Sequence, residues 1–431
     1  MFFLFAAALP AAAQTNAEVN AGIQFNFSTP GARSLGLGGA FLALADDATA
    51  AYSNPAGLTA LSRPEVSGET RRWGFTNTYT DRGRAAGAPI GNGVDTVAGL
   101  RKGEDEESAI GLSFLSAVYP KGRWAVAIYR HELADFDGSF EAQGAFLNGL
   151  QRLRPTRNSM SLDIENLGLA TACHLNDLSL GIGISLYDFR LKSRTQRYYL
   201  AFPPDDPARG GNSGLPLYAD TNLEDTQTQS GDDRAVGVNA GVLWQLNDDW
   251  RFGAVYRQGP KFKVDAEYSP GPRATGSKTS VRRAAHFDTP DVFGIGAAYL
   301  PTEMTTITLD LVRVRYADLT RTFTNIYPTL EEEPGHYRVD DADEVHLGVE
   351  HFFLSIRGMP FAARIGAWRD PDHKIRYTGD RGDFRALFRA GNGHFHSSAG
   401  IGLSGTRFQV DAAFDYSEQV RTASLSTVVR F

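Results

Sequence analysis

RFQVDAAFDYS, residues 407 to 417, alternates apolar and polar side chains at every second position. From Phe408 onward the apolar side chains share one face, and from Gln409 onward the polar ones share the other. Because successive side chains of a strand point to opposite faces of a sheet, this pattern predicts a strand with one apolar and one charged surface. The pattern recurs at 235–244 and 344–351, and it predicts an all-β chain.

Fourteen segments carry this signal. The predicted strands lie near 64–80, 107–120, 123–147, 156–174, 178–201, 232–246, 250–269, 284–300, 305–323, 341–355, 360–375, 393–404, 407–417 and 422–431. The connections between them alternate between short turns and long polar loops. The short turns lie at 120–122, 176–177, 247–249, 301–303, 357–359 and 405–406, and the long loops at 81–106, 202–231, 270–283, 324–340 and 376–392.

This segregation of connection lengths is typical of outer-membrane barrels, which have an even strand number, short periplasmic turns and long outer loops. We therefore predict a fourteen-stranded antiparallel transmembrane β-barrel in the outer membrane of a Gram-negative-type bacterium. The turns at 120–122, 176–177, 247–249 and 404–406 are expected to face the periplasm. The acidic runs 104–107 and 331–333 are expected in outer loops, where lipopolysaccharide is the expected neighbour.

Composition agrees with a barrel and argues against other classes. The 431 residues have a mean hydropathy of −0.28 and contain no apolar run as long as a transmembrane helix requires. The net charge of −7 argues against nucleic acid as a partner. A single cysteine, Cys173, cannot form an intramolecular disulfide framework or a multi-cysteine zinc site.

The N-terminus predicts export. MFFLFAAALPAAAQ contains an apolar core that ends in the small residues Ala11 to Ala13, as a signal peptidase requires. We expect a signal peptide over residues 1–13 whose positively charged first part is truncated, with the mature protein beginning near Gln14.

Residues 31–59 differ in composition from the segments that follow, because they are rich in glycine and alanine: GARSLGLGGAFLALADDATAAYSNPAGLT. An Asn-Pro pair forces a turn or an extended bend. The segment resembles the plug of the FadL/TodX-type outer-membrane transport proteins. Its small residues Gly36, Gly38 and Gly39 and its corner Asn54, Pro55 and Ala56 carry the resemblance.

The resemblance implies both architecture and function. It implies a plug, or hatch, over residues 14–62 inside a barrel formed by residues 63–431. It also implies passive uptake of long-chain fatty acids or hydrocarbons by a monomer without enzymatic activity, cofactor or metal. The terminal Phe431 resembles the signal that the barrel assembly machinery recognises.

Two sites are predicted for the hydrophobic ligand. Capture is assigned to apolar groups around the third outer loop, since long loops commonly carry function: Tyr198, Tyr199, Leu200, Phe202, Leu215 and Tyr218. Lateral exit is assigned to the third strand, where the alternation breaks at Asp135, Asp137 and Gly138. In the family this strand kinks inward and opens a gap beside the plug. The purely structural alternative is that strand pairing ends there.

Several other interpretations were open. PorV-type barrels share a similar plug and corner and hold partner proteins, so a secretion or assembly role is the alternative function. The inward positions Glu344, His346, Glu350, Arg364, His394, His396 and Ser398 could form a metal or charged-ligand site, but an ordinary salt-bridged lumen is favoured. A hydrolase would need an oxyanion hole beside Ser398, and the glycine cluster lacks the βαβ context of a nucleotide site.

Overall fold

The computed structural model describes residues 27–88, 97–148, 151–152, 154–199, 218–274, 278–321, 336–356, 359–380 and 390–431. The predicted signal peptide, residues 1–13, falls outside these ranges. Within them, no helix has both the length and the apolar character that crossing a membrane would take.

The chain is almost entirely β-structure, as the alternation predicts. The strands are β1 Glu65–Arg84, β2 Gly99–Lys121, β3 Trp124–Ala142, β4 Gly144–Asn148, β5 Gln151–Arg152, β6 Thr156–Leu175, β7 Leu178–Tyr198, β8 Leu223–Gln245, β9 Trp250–Arg257, β10 Lys261–Pro270, β11 Val281–Asp288, β12 Val292–Thr302, β13 Thr305–Val314, β14 Tyr337–Arg338, β15 Ala342–Ile356, β16 Met359–Asp370, β17 Arg376–Tyr377, β18 His394–Ser404, β19 Phe408–Tyr416 and β20 Val420–Arg430. The helices are α1 Ala32–Gly36, α2 Ala50–Ser53 and α3 Asp318–Arg321, with 3₁₀ helices at Pro55–Ala60 and Asp220–Asn222.

The strands close into a barrel. Consecutive wall strands pair antiparallel, and the last strand, β20, pairs with β1 from Glu65↔Arg430 to Phe75↔Val420. Because β9 with β10, and β11 with β12, each occupy one wall position, the described wall has fourteen positions. The predicted fourteen-stranded antiparallel barrel is confirmed.

Two predicted strands are each interrupted at a proline. The segment predicted at 250–269 breaks at 258–260, and its neighbour predicted at 284–300 breaks at 289–291. Pro260 and Pro290 lack the backbone N–H that a central ladder position needs. Asp291 joins the two breaks, because its Oδ1 accepts a 2.8 Å hydrogen bond from the backbone N–H of Gly259.

The first two strands are longer than predicted. β1 continues to Arg84 and β2 begins at Gly99, so the predicted loop 81–106 is partly strand. The acidic run 104–107 is paired with β1, from Thr78↔Glu104 to Phe75↔Glu107, and its predicted loop position is wrong. Where a strand extends beyond the membrane, its outward side chains no longer need to be apolar. A run of charged residues therefore does not show that the strand has ended.

Outward and inward faces differ along every long strand. Large apolar side chains are exposed on the outer face, for example Leu169, Ile182 and Ile295. Such an apolar outer band is what a lipid-facing wall requires. Inside, buried polar side chains alternate with them, and residues 27–61, here called the inner segment, lie against these inward positions.

Candidate functional site

The inner segment contacts strands that are far apart around the wall. The backbone N–H of Ala32 donates to Ser426 Oγ on β20 at 3.0 Å. The backbone N–H of Leu42 donates to Asp310 Oδ2 on β13 at 2.9 Å. Hydrogen bonds to such widely separated wall positions place the segment within the ring of strands.

The predicted corner Asn54-Pro55-Ala56 is fully buried. The amide of Asn54 donates to the carbonyl of Leu42 at 2.8 Å and to that of Val242 on β8 at 3.1 Å. Its Oδ1 accepts from the backbone N–H of Ala56 at 3.2 Å, so Asn54 caps the 3₁₀ helix that Pro55 begins. One amide thus joins the corner to the inner segment and to the wall.

Glycines of the wall make room for this corner. A Cβ at Gly241 would lie 2.1 Å from Asn54 Oδ1, and a Cβ at Gly181 would lie 2.3 Å from the backbone nitrogen of Ala56. Gly181 and Gly241 are directly paired across β7 and β8. Only glycine, whose side chain is a hydrogen atom, leaves room for the corner at these two positions.

The predicted small residues Gly36, Gly38 and Gly39 pack against the opposite part of the wall. A Cβ at Gly36 would lie 3.1 Å from the Cα of Gly400, and one at Gly38 would lie 2.8 Å from the nitrogen of Ala367. Gly38 and Gly39 have φ of 66° and 82°, a conformation that favours glycine. Close approach to the wall requires glycine at Gly36 and Gly38, and the backbone conformation favours glycine at Gly38 and Gly39.

A charged network holds the inner segment to β15, β16 and β19. The guanidinium of Arg33 donates to both carboxylate oxygens of Glu350, at 3.0 and 2.8 Å. Glu350 also accepts from Arg364 Nε at 2.6 Å, and Arg364 donates to Asp411 at 2.8 Å. Glu350, Arg364 and Asp411 are at most 2% exposed. We call these four residues the clamp.

Further inward residues predicted on these strands serve the same attachment. Trp368 stacks between His346 and His396, at 5.2 and 3.9 Å between ring centroids. The ring of His346 bonds the carbonyl of Gly38 at 2.7 Å, and Ser398 Oγ donates to the carbonyl of Gly36 at 3.3 Å. Ser398 is therefore engaged by the inner segment. No trio of potential metal-ligating side chains comes together in the described ranges.

The other side of the lumen is apolar. A cluster that we call the mid-lumen cluster consists of Phe75, Leu133, Ala134, Phe136, Met160, Leu162, Ile164, Tyr187, Phe189, Leu191, Phe262, Val264 and Phe287. These residues come from β1, β3, β6, β7, β10 and β11. Phe189 and Phe262 stack at 4.3 Å, and Phe75 and Phe136 stack at 5.1 Å. The lumen thus has a charged side, at the clamp on β15, β16 and β19, and an apolar side formed by these six strands.

A second apolar cluster lies where the long connections meet. This mouth cluster consists of Ala145, Val292, Val314, Tyr316, Val339, Ala342 and Ile375. Phe27 and Leu319 pack against both clusters and connect them. His373 stacks on Tyr316 at 4.5 Å. Burial disfavours the charged form of His373, but its hydrogen bond to Asp370 and that carboxylate's charge outweigh this and raise the pKa.

The wall opens between β2 and β3. Their ladder runs from Lys121↔Trp124 to Phe114↔His131, and within the described residues 97–148 it records no pair beyond that. Both strands bulge where they part: Ser113 is the extra residue of β2, and Leu133 is the extra residue of β3. Because a bulge bends its strand, two of them at one height separate the strands.

A small cavity, with room for about one water molecule, lies in this opening. It is lined by Arg71, Trp73, Ala109, Gly111, Glu132, Ala134 and Asp135. Ala134 also belongs to the mid-lumen cluster. The opening therefore borders the apolar side of the lumen directly.

The predicted exit residues lie immediately beyond the bulge. Asp135, Asp137 and Gly138 keep regular pairing with β6, from Asp135↔Asp163 to Gly138↔Met160. The register shift itself lies at Glu132–Ala134. Asp135 lines the cavity, and the exit stays a prediction for Asp137 and Gly138.

Three of the predicted capture residues are described, and they lie together. Tyr198 is fully buried and packs edge-on against Tyr218 at 5.3 Å. Arg154 lies over the ring of Tyr199 at 5.1 Å. The others, Leu200, Phe202 and Leu215, fall in a part of the chain that the structure does not describe. Their role in capture stays a prediction.

Sequence reasoning missed the wall glycines and the bulges. Glycine inside a strand pattern signals a close backbone approach, so Gly181 and Gly241 carried a usable signal. The bulge at Leu133 carried a signal that was assigned slightly too far along the strand, because Leu133 and Ala134 are both apolar and the alternation resumes beyond them with shifted phase.

Comparisons with known proteins agree with this fold. Residues 154–347 match the family model described as "Outer membrane protein transport protein (OMPP1/FadL/TodX)". A Pseudomonas aeruginosa FadL homologue aligns with 13% identity and a TM-score of 0.64, covering 95% of this chain and 99% of the homologue. The P. putida toluene transporter TodX aligns with 13% identity and a TM-score of 0.58, covering 94% and 99%. The Ralstonia pickettii toluene transporter TbuX gives 14% identity, a TM-score of 0.56, and the same coverage of 94% and 99%.

A search of curated proteins finds no match. At these identities the likeness to the solved structures concerns the fold, and the sequence match over 154–347 confirms the predicted family resemblance.

Proposed function

We propose, on the premise that this chain is a FadL/TodX-type outer-membrane barrel, that it takes up hydrophobic molecules passively and releases them sideways through its wall. Long-chain fatty acids and aromatic or aliphatic hydrocarbons are the expected ligands. TodX and TbuX are described as toluene transporters, which places small aromatic hydrocarbons within this range.

One observation carries the proposal: apolar side chains contact one another continuously from the mouth to the wall opening. The mouth cluster and the mid-lumen cluster share Phe27 and Leu319, and the mid-lumen cluster reaches the opening through Ala134. A hydrophobic molecule loses favourable free energy wherever it must enter water, at about 25 cal/mol per Å² of apolar surface. A continuous apolar side avoids that cost.

The inner segment is the proposed plug, corresponding to residues 14–62 of the chain, with residues 63–431 as the barrel. Its hydrogen bonds to β8, β13 and β20 close the space between the clamp and the corner. Small polar solutes are therefore kept out while the apolar side remains available. The protein-holding alternative is not favoured, because an apolar lumen side that leads to a wall opening has no part in holding another protein.

Further partners follow from the same placement. The aromatic side chain of Phe431 is 72% exposed while its backbone N–H is bonded to the carbonyl of Pro64 at 3.0 Å. The ring is thus free for the barrel assembly machinery. We propose a monomer surrounded by outer-membrane lipid and lipopolysaccharide, acting without enzymatic chemistry or cofactor.

Blocking the wall opening tests the function. A Cβ at Gly111 would lie 3.4 Å from Glu132 Oε2, so Gly111→Phe fills the cavity between β2 and β3. Uptake of radiolabelled oleate or toluene by a deletion strain that carries this variant should fall by about tenfold, as overpacking of a confined site implies.

The matched control is Ile110→Phe, since Ile110 precedes Gly111 and is 72% exposed on the outer face. Its uptake should equal that of the natural protein. Equal uptake in the Gly111→Phe strain, at equal amounts of folded barrel, would refute release through this opening. If the deletion strain takes up as much ligand as the strain with the natural protein, transport by this protein is refuted.

A further inference from the structure

His131 and Asn166 form a buried polar pair that the proposed path does not use. They are direct ladder partners on β3 and β6, and they are 0% and 2% exposed. Neither ring nitrogen of His131 and neither amide atom of Asn166 has a hydrogen-bond partner in the described part of the chain. Buried polar atoms are nearly always hydrogen-bonded, so four of them side by side indicate a polar group that binds there.

The neighbouring rows show that this pair differs from its surroundings. On the turn side, the next polar row is satisfied, because Tyr129 Oη and Ser185 Oγ are 2.8 Å apart. On the other side, the next row is apolar, with Ile164 paired to Phe189 in the mid-lumen cluster. The pair therefore lies at the end of the mid-lumen cluster, between that cluster and the buried side chains that pack around Tyr52 of the inner segment.

The pair also lies beside the wall opening and under the inner segment. His131 is the last residue of β3 that pairs with β2 before the strands part. The ring of Tyr52, on α2, stacks on it at 3.9 Å between centroids. When a ligand moves along the mid-lumen cluster toward the opening, its leading end reaches His131 and Asn166.

The chemistry of the pair favours a neutral group that both donates and accepts hydrogen bonds. An amide has donors and acceptors, and a neutral imidazole has one of each. Two of the cations that act on His131 are paired with carboxylates, Arg71 with Glu69 and Arg130 with Glu165, whereas Arg257 donates to the carbonyls of Phe27 and Ser53. A carboxylate only accepts, so it would leave the acceptor nitrogen of the imidazole and the amide oxygen of Asn166 without a donor.

We propose that His131 and Asn166 bind the hydroxyl group of a hydrophobic alcohol or phenol whose hydrocarbon part lies on the mid-lumen cluster. This inference rests on the proposed function, since the ligand reaches the pair along the same apolar side. It makes the pair a specificity site that distinguishes hydroxylated molecules from plain hydrocarbons.

Competition binding tests the assignment. The full chain in lipid nanodiscs is loaded with a fluorescent alkyl probe, which is displaced by octane, 1-octanol or ionised octanoate, with empty nanodiscs correcting for partition. We expect 1-octanol to compete better than octane and octanoate. His131→Phe keeps the stack on Tyr52, Asn166→Leu keeps the volume, and each should lower the affinity ratio of octanol to octane by about tenfold.

The matched control is Asn158→Leu, the same change on the same strand and face. Asn158 is buried but already donates to Thr156 Oγ1 at 3.1 Å, so its removal should leave the ratio unchanged. Heat-modifiable migration on gels identifies folded barrels. Asn166→Ser, which keeps a hydroxyl group, should retain part of the preference if Asn166→Leu does not fold.

Four outcomes would overturn the inference. An unchanged ratio in folded His131→Phe and Asn166→Leu barrels would show that ordered water fills the pair. Octanoate competing as well as octanol, and losing as much in the variants, would show an anion site. Displacement by octane alone would leave the proposed function standing, whereas no displacement by any of the three would refute both.

Discussion

Glu350 is the residue on which the attachment of the inner segment depends. It lies between two guanidinium groups, from Arg33 of the inner segment and Arg364 of the wall, and it is 0% exposed. Removing Glu350 would leave each guanidinium with one nearby carboxylate, Asp46 for Arg33 and Asp411 for Arg364, and the loss of a buried ionic partner costs more than the pair contributes. The clamp therefore has one carboxylate whose loss affects both arginines.

Glu350→Gln should lower the free energy of unfolding by about 3 to 5 kcal/mol, since Gln keeps the shape but removes the charge between the arginines. The measurement is the temperature at which the barrel loses its heat-modifiable gel migration. The control is Glu165→Gln, whose pair with Arg130 is partly exposed and should change stability by at most about 1 kcal/mol. Equal shifts in both variants would show that the clamp does not stabilise the barrel.

Alternation alone was enough to assign Glu344, His346, Glu350 and Arg364 to the inner face. It could not supply the partner of Glu350, because Arg33 is 317 positions away along the chain. Nor could it show that the carboxylate pairs a wall residue with the inner segment. Such a pairing depends on how the barrel closes around residues 27–61.

At the scale of elements, the wall strands carry glycines where the inner segment touches them. Gly181 on β7 and Gly241 on β8 seat the corner, and Gly253 on β9 lies against the carbonyl of Leu42. Glycine weakens a strand because it has no side chain to pack. These strands therefore give up some of their own stability to admit the backbone of another element.

Gly241→Val should displace the corner, because its Cβ would overlap Asn54 Oδ1 and the wall strand cannot move away from both of its neighbours. We expect a destabilisation of about 1 to 3 kcal/mol. We also expect faster amide hydrogen exchange over residues 50–60, measured on the purified barrel. Exchange unchanged from that of the natural protein would show that the corner tolerates the added side chain.

Gly68→Val is the control, because a Cβ at Gly68 meets only the end of Leu115 at 3.8 Å. Strand β1 would gain a β-branched residue on its outer face, which strands favour. The exchange of residues 50–60 should be the same in this variant as in the natural protein.

Strand existence was predictable, whereas strand irregularity was not. Pro260 and Pro290 gave a readable signal for the breaks at 258–260 and 289–291, since proline cannot donate to a ladder. The bulges at Ser113 and Leu133 have no proline, and the only marker of the one at Leu133 is the broken alternation that follows it. They follow from how β2 and β3 are placed against β1 and β6, which sequence alternation does not encode.

At the scale of the whole molecule, the alternation of short turns and long connections predicts one orientation in the membrane. With Cys173 replaced by serine, Thr279→Cys in a long connection should react with a membrane-impermeant maleimide on intact cells. Asp248→Cys in the turn between β8 and β9 should react only after the outer membrane is broken. The reverse labelling pattern would reverse the topology.

The fourteen wall positions were predictable because lipid outside and water or protein inside impose the same alternation on every strand. The lengths of β1 and β2 were not predictable. Beyond the membrane both faces of a strand meet water, so nothing imposes an alternation of apolar and polar residues there. The division of the lumen into a charged and an apolar side was partly visible, since Glu344 to Glu350 contrast with Leu162 and Ile164. Their arrangement around the inner segment required the closed barrel.

The hydrogen bond between Ala32 and Ser426 joins residues 394 positions apart, so it can form only late in assembly. The inner segment leaves the ribosome first, but its partners on β19 and β20 are synthesised last. Contacts between residues so distant in sequence form slowly, because the chain must close a very long loop before they contribute. Ala32 therefore acquires this contact only when β20 is in place, whereas Leu42 and Asn54 can reach β13 and β8 earlier, so an unfinished barrel holds its inner segment only in part.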